Sequence, residues 1–244
     1  MSSFNRRSFL MLVATGLAAL WLAWTGNFPL IYATLVGLGL AAVGFRDDQG
    51  GLSIRLRLLA QATTLLLLLV LTPQLAAALS PLPILFASFA IFCSGLVWIN
   101  FFNFMDGIDG MAASEAAFLA SALLVMVLAG AGEPLDGTWL FTLCLSCAVL
   151  TFLMFNWAPS RVFMGDGGAY FLSFVLLALA LWSFSHVVPN GDLAHVILFG
   201  GFGAFALLGM TMIDRRKRRE MGAQWDVMAT SRRYAPAAQF RQIA

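Results

Sequence analysis

Five aspartates stand at the edges of long apolar segments. They are the Asp47-Asp48 pair, Asp106 and Asp109 within Asn100-Phe-Phe-Asn103-Phe-Met-Asp106-Gly-Ile-Asp109-Gly110, and Asp166 within Phe163-Met-Gly-Asp166-Gly-Gly168. Carboxylates at membrane depth are expensive and mark functional sites by default. Brought to one place, they cannot all stay ionised without a cation. Hard oxygen ligands of this kind suit Mg2+, with Mn2+ able to take its place.

The spacing within each segment refines this. Asn100, Asn103 and Asp106 recur every third residue, so on a helix they form one polar stripe at the end of a strongly apolar run. Amide and carboxylate oxygens there can hold a metal or hydrogen-bond a base or ribose. Gly107 and Gly110 permit tight turns around Asp106 and Asp109. Asp47 and Asp48 follow an apolar run, at a helix C-terminus whose dipole opposes them. A metal or the nearby Arg46, Arg55 and Arg57 must offset that cost. Asp166 opens a further run beside glycine amides, a place that suits an anion such as phosphate, and Arg161 adds charge. Plainer readings exist: a solvated helix end, an Asp-Gly cap, an Asp N-cap. The cap does not account for the two amides leading into Asp106. Together the segments suggest phosphoryl transfer to a membrane lipid, carried by positioning and charge neutralisation.

The elements that must position these groups follow from composition. Of 244 residues, 61% are hydrophobic and 11% charged, with mean hydropathy +0.87. Soluble domains are about 45–50% apolar and about 25% charged, so the chain is an integral membrane protein. The fold class expected is all-α, a polytopic transmembrane bundle of about eight spans with both termini cytoplasmic. The spans fall at 9–25, 28–45, 55–72, 82–102, 112–130, 138–155, 168–187 and 193–213. With the N-terminus inside, all fourteen basic residues lie on the cytoplasmic side, as the positive-inside rule requires. The connections expected outside carry Glu133, Asp136 and Asp192. That topology puts the five aspartates on one cytoplasmic face, in three connections around 46–54, 103–111 and 156–167. Every span is apolar all round, which leaves a homodimer open without specifying one.

Other signals are weaker. Asn5-Arg6-Arg7-Ser8-Phe9-Leu10-Met11 resembles a twin-arginine signal but runs straight into further spans, and reads as a first helix with its arginines inside. Cys93, Cys144 and Cys147 lie in apolar runs and read as packing residues. The Arg215 to Arg219 run reads as a cytoplasmic stop signal against lipid headgroups. No nucleic-acid recognition module accompanies it.

At three blocks the chain resembles the polyprenyl-phosphate N-acetylhexosamine-1-phosphate transferases, glycosyl transferase family 4. The blocks are Val43 to Asp48 with Leu52-Ser53 and Arg55 to Gln61, Asn100 to Ala112, and Phe155 to Leu172. The resemblance covers about 35–175 and implies transfer of a sugar-1-phosphate from a UDP-sugar to undecaprenyl phosphate. The products are a lipid-pyrophosphate-sugar and UMP, for cell-envelope polysaccharide synthesis at the bacterial inner membrane. It implies Asp166 as the Mg2+ ligand and Asp47 and Asp48 as groups that orient or deprotonate the lipid phosphate. Asn103, Asp106 and Asp109 would hold nucleotide and metal, with Asn100, Asn156, Arg161 and Phe163 as further substrate contacts. Arg55 and Arg57 would contact phosphate.

The chain departs from that pattern. Family members carry more helices before the Asp pair and a late His-containing cytoplasmic loop, whereas the histidines here are His186 and His195. The tail, from Leu181-Trp182 through His186 and Asn190-Gly191-Asp192 to His195, resembles the NnrU family, as does Ile213-Asp214-Arg215-Arg216. The expected organisation is a transferase-like domain over 1–178, shortened at its N-terminal side, and an NnrU-like tail over 179–244. Two alternatives follow: a haem-associated or accessory membrane protein with His186 as haem ligand, and an inactive transferase that keeps the fold.

Overall fold

A computed structural model describes residues 28–72, 83–129, 137–158 and 160–187, and their regular structure is helical throughout. Six helices follow one another: α1 (Phe28–Gly50), α2 (Ile54–Leu71), α3 (Ile84–Asp106), α4 (Met111–Ala129), α5 (Thr138–Asn156) and α6 (Gly165–Val187). All six are long and apolar enough to cross a membrane. They are the middle six of the eight expected spans. The spans expected at 9–25 and 193–213, Arg6, Arg7, the Arg215 to Arg219 run, His195 and most of the tail lie outside the described residues, as does the side chain of His186.

The exteriors bear out a lipid environment. Leu85, Met154, Val70, Val97 and Phe104 are each at least 70% exposed. In water that surface would cost about 25 cal/mol per Å2, whereas against acyl chains it costs nothing. Buried hydroxyls are satisfied within their own helices: Thr34 donates to the Leu30 carbonyl, Thr142 to Thr138 and Ser146 to Thr142. This is how polar side chains are accommodated where water is absent.

The aspartates do not lie where hydropathy places them. Asp47 and Asp48 sit in the last turns of α1, Asp106 is the last residue of α3, and Asp166 is the second residue of α6. Of the five, only Asp109 lies in a connection. A hydropathy window stops at the first polar residue, whereas backbone hydrogen bonding carries the helix on until a glycine or a cap ends it. Ser53 supplies such a cap at the start of α2, its Oγ accepting from the Leu56 N–H at 3.3 Å.

Helix α6 is the hub. It packs against α1, α3 and α4, most extensively against α1, while α2 rests on α1 and α3, and α5 on α4. Residues Ala169 to Leu176 are buried without interruption, as expected of a helix enclosed on every side. Trp98 on α3 locks to it, its Nε1–H donating to the Ser173 carbonyl at 2.8 Å. At the α1–α6 crossing, Gly44 meets the backbone of Asp166 and Gly167: a Cβ on Gly44 would lie 2.6 Å from the Asp166 carbonyl oxygen. Two glycines face to face let the backbones touch, and that contact carries the end of α1 onto the start of α6.

Candidate active site

The C-termini of α1, α3 and α5 and the N-termini of α2, α4 and α6 gather at one end of the bundle. Asp48 leaves α1 and reaches the first turn of α6. Its Oδ1 accepts from the Asp166 N–H at 3.0 Å and its Oδ2 from the Gly167 N–H at 3.3 Å. Asp106, ending α3, accepts from the Gly165 N–H at 3.1 Å through Oδ2. Gly165 itself has φ +72, and a Cβ there would stand 2.8 Å from Asp48 Oδ2, so position 165 is held to glycine on two counts.

The glycine amides beside Asp166 suit an anion, and here the N–H groups of Gly165, Asp166 and Gly167 already have one. Those donors are taken by carboxylates of the chain itself. The cause is the α1–α6 contact at Gly44, which delivers Asp48 to a helix N-terminus whose dipole favours it. The same geometry removes the difficulty of placing two carboxylates at the end of α1, because Asp48 is received by α6 and Asp47 by Arg57. Asp47 is buried, its Oδ1 accepts from the Leu52 N–H at 2.5 Å, and its Oδ2 lies 3.3 Å from Arg57 Nη1.

Asp166 faces inward to the cluster. The side chains of Asn103, Asp47 and Asp48 are its polar neighbours. Asp106 has Asp166 and Asp48 as its charged neighbours, and its Oδ1 is buried without a hydrogen-bond partner. Four of the five aspartates therefore meet around the start of α6. Among the described residues, no three His, Cys, Asp or Glu side chains take up metal-holding geometry by themselves.

Asp109 stands apart on the turn after α3. Both of its oxygens are taken by Ser160, the hydroxyl donating to Oδ1 at 2.8 Å and the N–H to Oδ2 at 3.3 Å. Asn156, 1% exposed, ties the same two connections together. It accepts from the Gly110 N–H at 2.9 Å and donates to the Val162 carbonyl at 2.8 Å. Its amide thus shapes the two loops that carry Asp109 and Arg161. Arg161 and Phe163 project outward from the connection so fixed, both exposed.

The polar stripe on α3 divides. Positions three apart drift about 60° around a helix, so Asn103 meets Asp166 while Asn100 turns to α2. Asn100 donates to Gln61 Oε1 at 2.6 Å and accepts from Gln61 Nε2 at 3.4 Å. Arg55 is exposed in the first turn of α2, two residues before Arg57, which faces the cluster.

Three residues here escaped the motif reading. Gln61 lay in a matched block without a role. Tyr170 is fully buried one turn after Asp166. Glu115, 2% exposed in α4, has an Oε2 without a hydrogen-bond partner. The signal for Glu115 was available, since it is a lone carboxylate within an apolar span.

The glycosyl transferase family 4 model matches residues 30–184, and an NnrU protein model matches residues 174–243. The phospho-N-acetylmuramoyl-pentapeptide-transferase of Mycobacterium leprae is 32% identical over 42% of this chain and 33% of its own length. That of Chlamydia pneumoniae is 28% identical over 86% and 66%. A probable undecaprenyl-phosphate N-acetylglucosaminyl 1-phosphate transferase of Bacillus subtilis is 34% identical over 38% and 28%. The chain thus spans between 28% and 66% of the length of these relatives. Every carboxylate of the cluster falls inside the first of the two family matches, and the chain belongs to glycosyl transferase family 4.

Proposed function

We propose that the protein transfers a sugar-1-phosphate, of the N-acetylhexosamine type, from a UDP-sugar to undecaprenyl phosphate. An oxygen of the lipid phosphate attacks the phosphorus attached to the sugar. The bond from that phosphorus to the bridging oxygen breaks, and UMP leaves with the electron pair. The products are a lipid-pyrophosphate-sugar and UMP, made at the cytoplasmic face of a bacterial inner membrane.

One observation supports this reading above the others: Asp47, Asp48, Asp106 and Asp166, from three helices, converge on the start of α6. The names of the relatives point to the same class of transfer. The residues fit a magnesium ion. The donor set is oxygen only, Asp106 Oδ1 lacks a partner, and the neighbouring Asp47 and Asp166 carboxyls favour a proton or a cation between them. Magnesium is commonly held by one or two carboxylates together with substrate phosphates, so a cage made by the protein alone is not required. Asp166 and Asp106 would hold it, and it would neutralise the pyrophosphate of the nucleotide sugar.

The remaining roles belong to side chains. Asp47, fixed by Leu52 and Arg57, orients the attacking lipid phosphate. That group is already largely ionised near neutrality, its second pKa being about 6, so a strong base is not needed. Asp109, set by Ser160, faces the nucleotide with Arg161 and Phe163. The test is to incubate the purified chain with UDP-N-acetylglucosamine, undecaprenyl phosphate and Mg2+ and to measure UMP. Release dependent on all three is expected. No release with any UDP-N-acetylhexosamine, in a detergent that supports a relative, would overturn the proposal.

A further inference from the structure

Helices α2 and α3 carry opposite sides of the site. Arg57, on the first turn of α2, pairs with Asp47 at 3.3 Å, on the acceptor side of the proposed reaction. Asn103 and Asp106 stand at the end of α3, on the nucleotide and metal side. How far apart these groups lie depends on how α2 is set lengthwise against α3.

Apolar faces set that poorly. Leucine on leucine packs nearly as well after a slip of one residue, and lipid supplies no hydrophobic drive to choose between the two. Shape and hydrogen bonding do discriminate. Leu65 of α2 fits against Gly95 of α3, where a Cβ would stand 2.8 Å from Leu65 Cδ2. Four residues nearer the site, Gln61 and Asn100 pair amide to amide. Asn100 Nδ2 donates to Gln61 Oε1 at 2.6 Å, and Gln61 Nε2 returns a longer bond of 3.4 Å to Asn100 Oδ1. One further turn in the same antiparallel register brings Arg57 about level with Asn103.

Gln61 is 0% exposed in a membrane-crossing helix. A buried amide there is costly unless it is paired, and an apolar side chain of the same size would fill the place without that cost. A polar pair between apolar helices is best attested as a device that fixes register.

We infer that Gln61 is a positioning residue: by holding Asn100 it fixes the register of α2 against α3, and with it the reach from Arg57 to Asn103 and Asp106. The inference rests on the transferase reading and deepens it, because the length being set is the separation of the acceptor and donor phosphates. A slip of one residue moves a helix by about 1.5 Å, and a misplacement of about 1 Å can cost about a hundredfold in rate.

Gln61→Met keeps the length of the side chain and removes both amide bonds. The expected result is a fall of at least about tenfold in kcat, with the KM for undecaprenyl phosphate and for UDP-sugar each within about twofold. The stoichiometry of UDP-sugar binding and the melting temperature in detergent should not fall, so an unfolded fraction does not explain the loss. In an Asn100→Leu background the same change should add less than about twofold, because coupled residues are not additive. Register is read without turnover by spin labels at Leu59→Cys and Leu85→Cys, exposed positions on α2 and α3, with Cys93, Cys144 and Cys147 replaced by serine. The labelled residues stand about 25 Å apart along the helices, and Gln61→Met should shift or broaden that distance by about 1.5 Å or more. An unchanged distance, an unchanged kcat, fewer binding sites, or an equal loss in both backgrounds would overturn the inference. If the wild-type chain turns nothing over, the transferase reading falls by itself, and the spin-label distance alone decides whether Gln61 sets the register.

Discussion

Gly44 rests directly on the backbone of Asp166, so close that a Cβ at position 44 would stand 2.6 Å from the Asp166 carbonyl oxygen and 2.7 Å from Gly167 Cα. Backbone cannot rotate out of the way as a side chain can. Gly44→Ala should therefore push α1 from α6, costing about 1–3 kcal/mol of stability and most of the transfer activity. Gly39→Ala is the control on the same helix, because nothing lies within 4 Å of its Cβ. It should be neutral or stabilising by up to about 1 kcal/mol. Thermal unfolding in detergent with a UMP assay reads both.

Asp48 acts as the acceptor for two amides of α6. Asp48→Ala leaves both without it and should cost about 0.5–2 kcal/mol, the range for loss of a helix cap. Asp48→Asn keeps one acceptor and should recover part of that stability but little of the activity. Equal melting temperatures for the wild type and Asp48→Ala would show that these hydrogen bonds do not hold the helices together.

Ser160 fixes both oxygens of Asp109. Ser160→Ala removes the hydroxyl and keeps the N–H, so Asp109 loses one of two restraints. The expected effect is about tenfold on kcat/KM for the nucleotide sugar, in line with about 1.5 kcal/mol for a hydrogen bond to a charged group, with the KM for the lipid unchanged. Steady-state kinetics with each substrate varied in turn checks this. An equal change in both KM values would mean that the connection as a whole had moved.

Chelation should abolish transfer, and added Mg2+ should restore it. Asp166→Asn keeps the size of the side chain and its contact with Asn103, so the fold should survive while activity falls at least about a hundredfold. Mg2+-dependent thermal stabilisation should fall with it. Full activity of Asp166→Asn would remove Asp166 from the chemistry.

The six described helices were readable in the sequence because a membrane span announces itself by length and hydropathy. The gathering of the acidic residues at one end followed from alternating spans with loops of one sign. What could not be read was lateral. Helices apolar all round carry no periodic signal of which neighbour they face, so neither the central place of α6 nor the Gly44–Gly167 crossing was visible. What the amides beside Asp166 receive was hidden for the same reason: it depends on where α1 lies. Asn100, Asn103 and Asp106 looked like one stripe, and helical drift separated Asn100 toward Gln61.

Helix α6 also imposes an order on the birth of the protein. Asp48 and Asp106 are made early, on α1 and α3, yet the N–H groups that receive them belong to Gly165, Asp166 and Gly167. During synthesis those carboxylates enter the membrane boundary with their donors not yet made. A nascent chain paused before Gly165 is thus a bundle with acidic helix ends, attracting water and cations, and only the arrival of α6 closes it. Assembly of the site and completion of the bundle are then the same event, so a partly inserted chain cannot begin the chemistry.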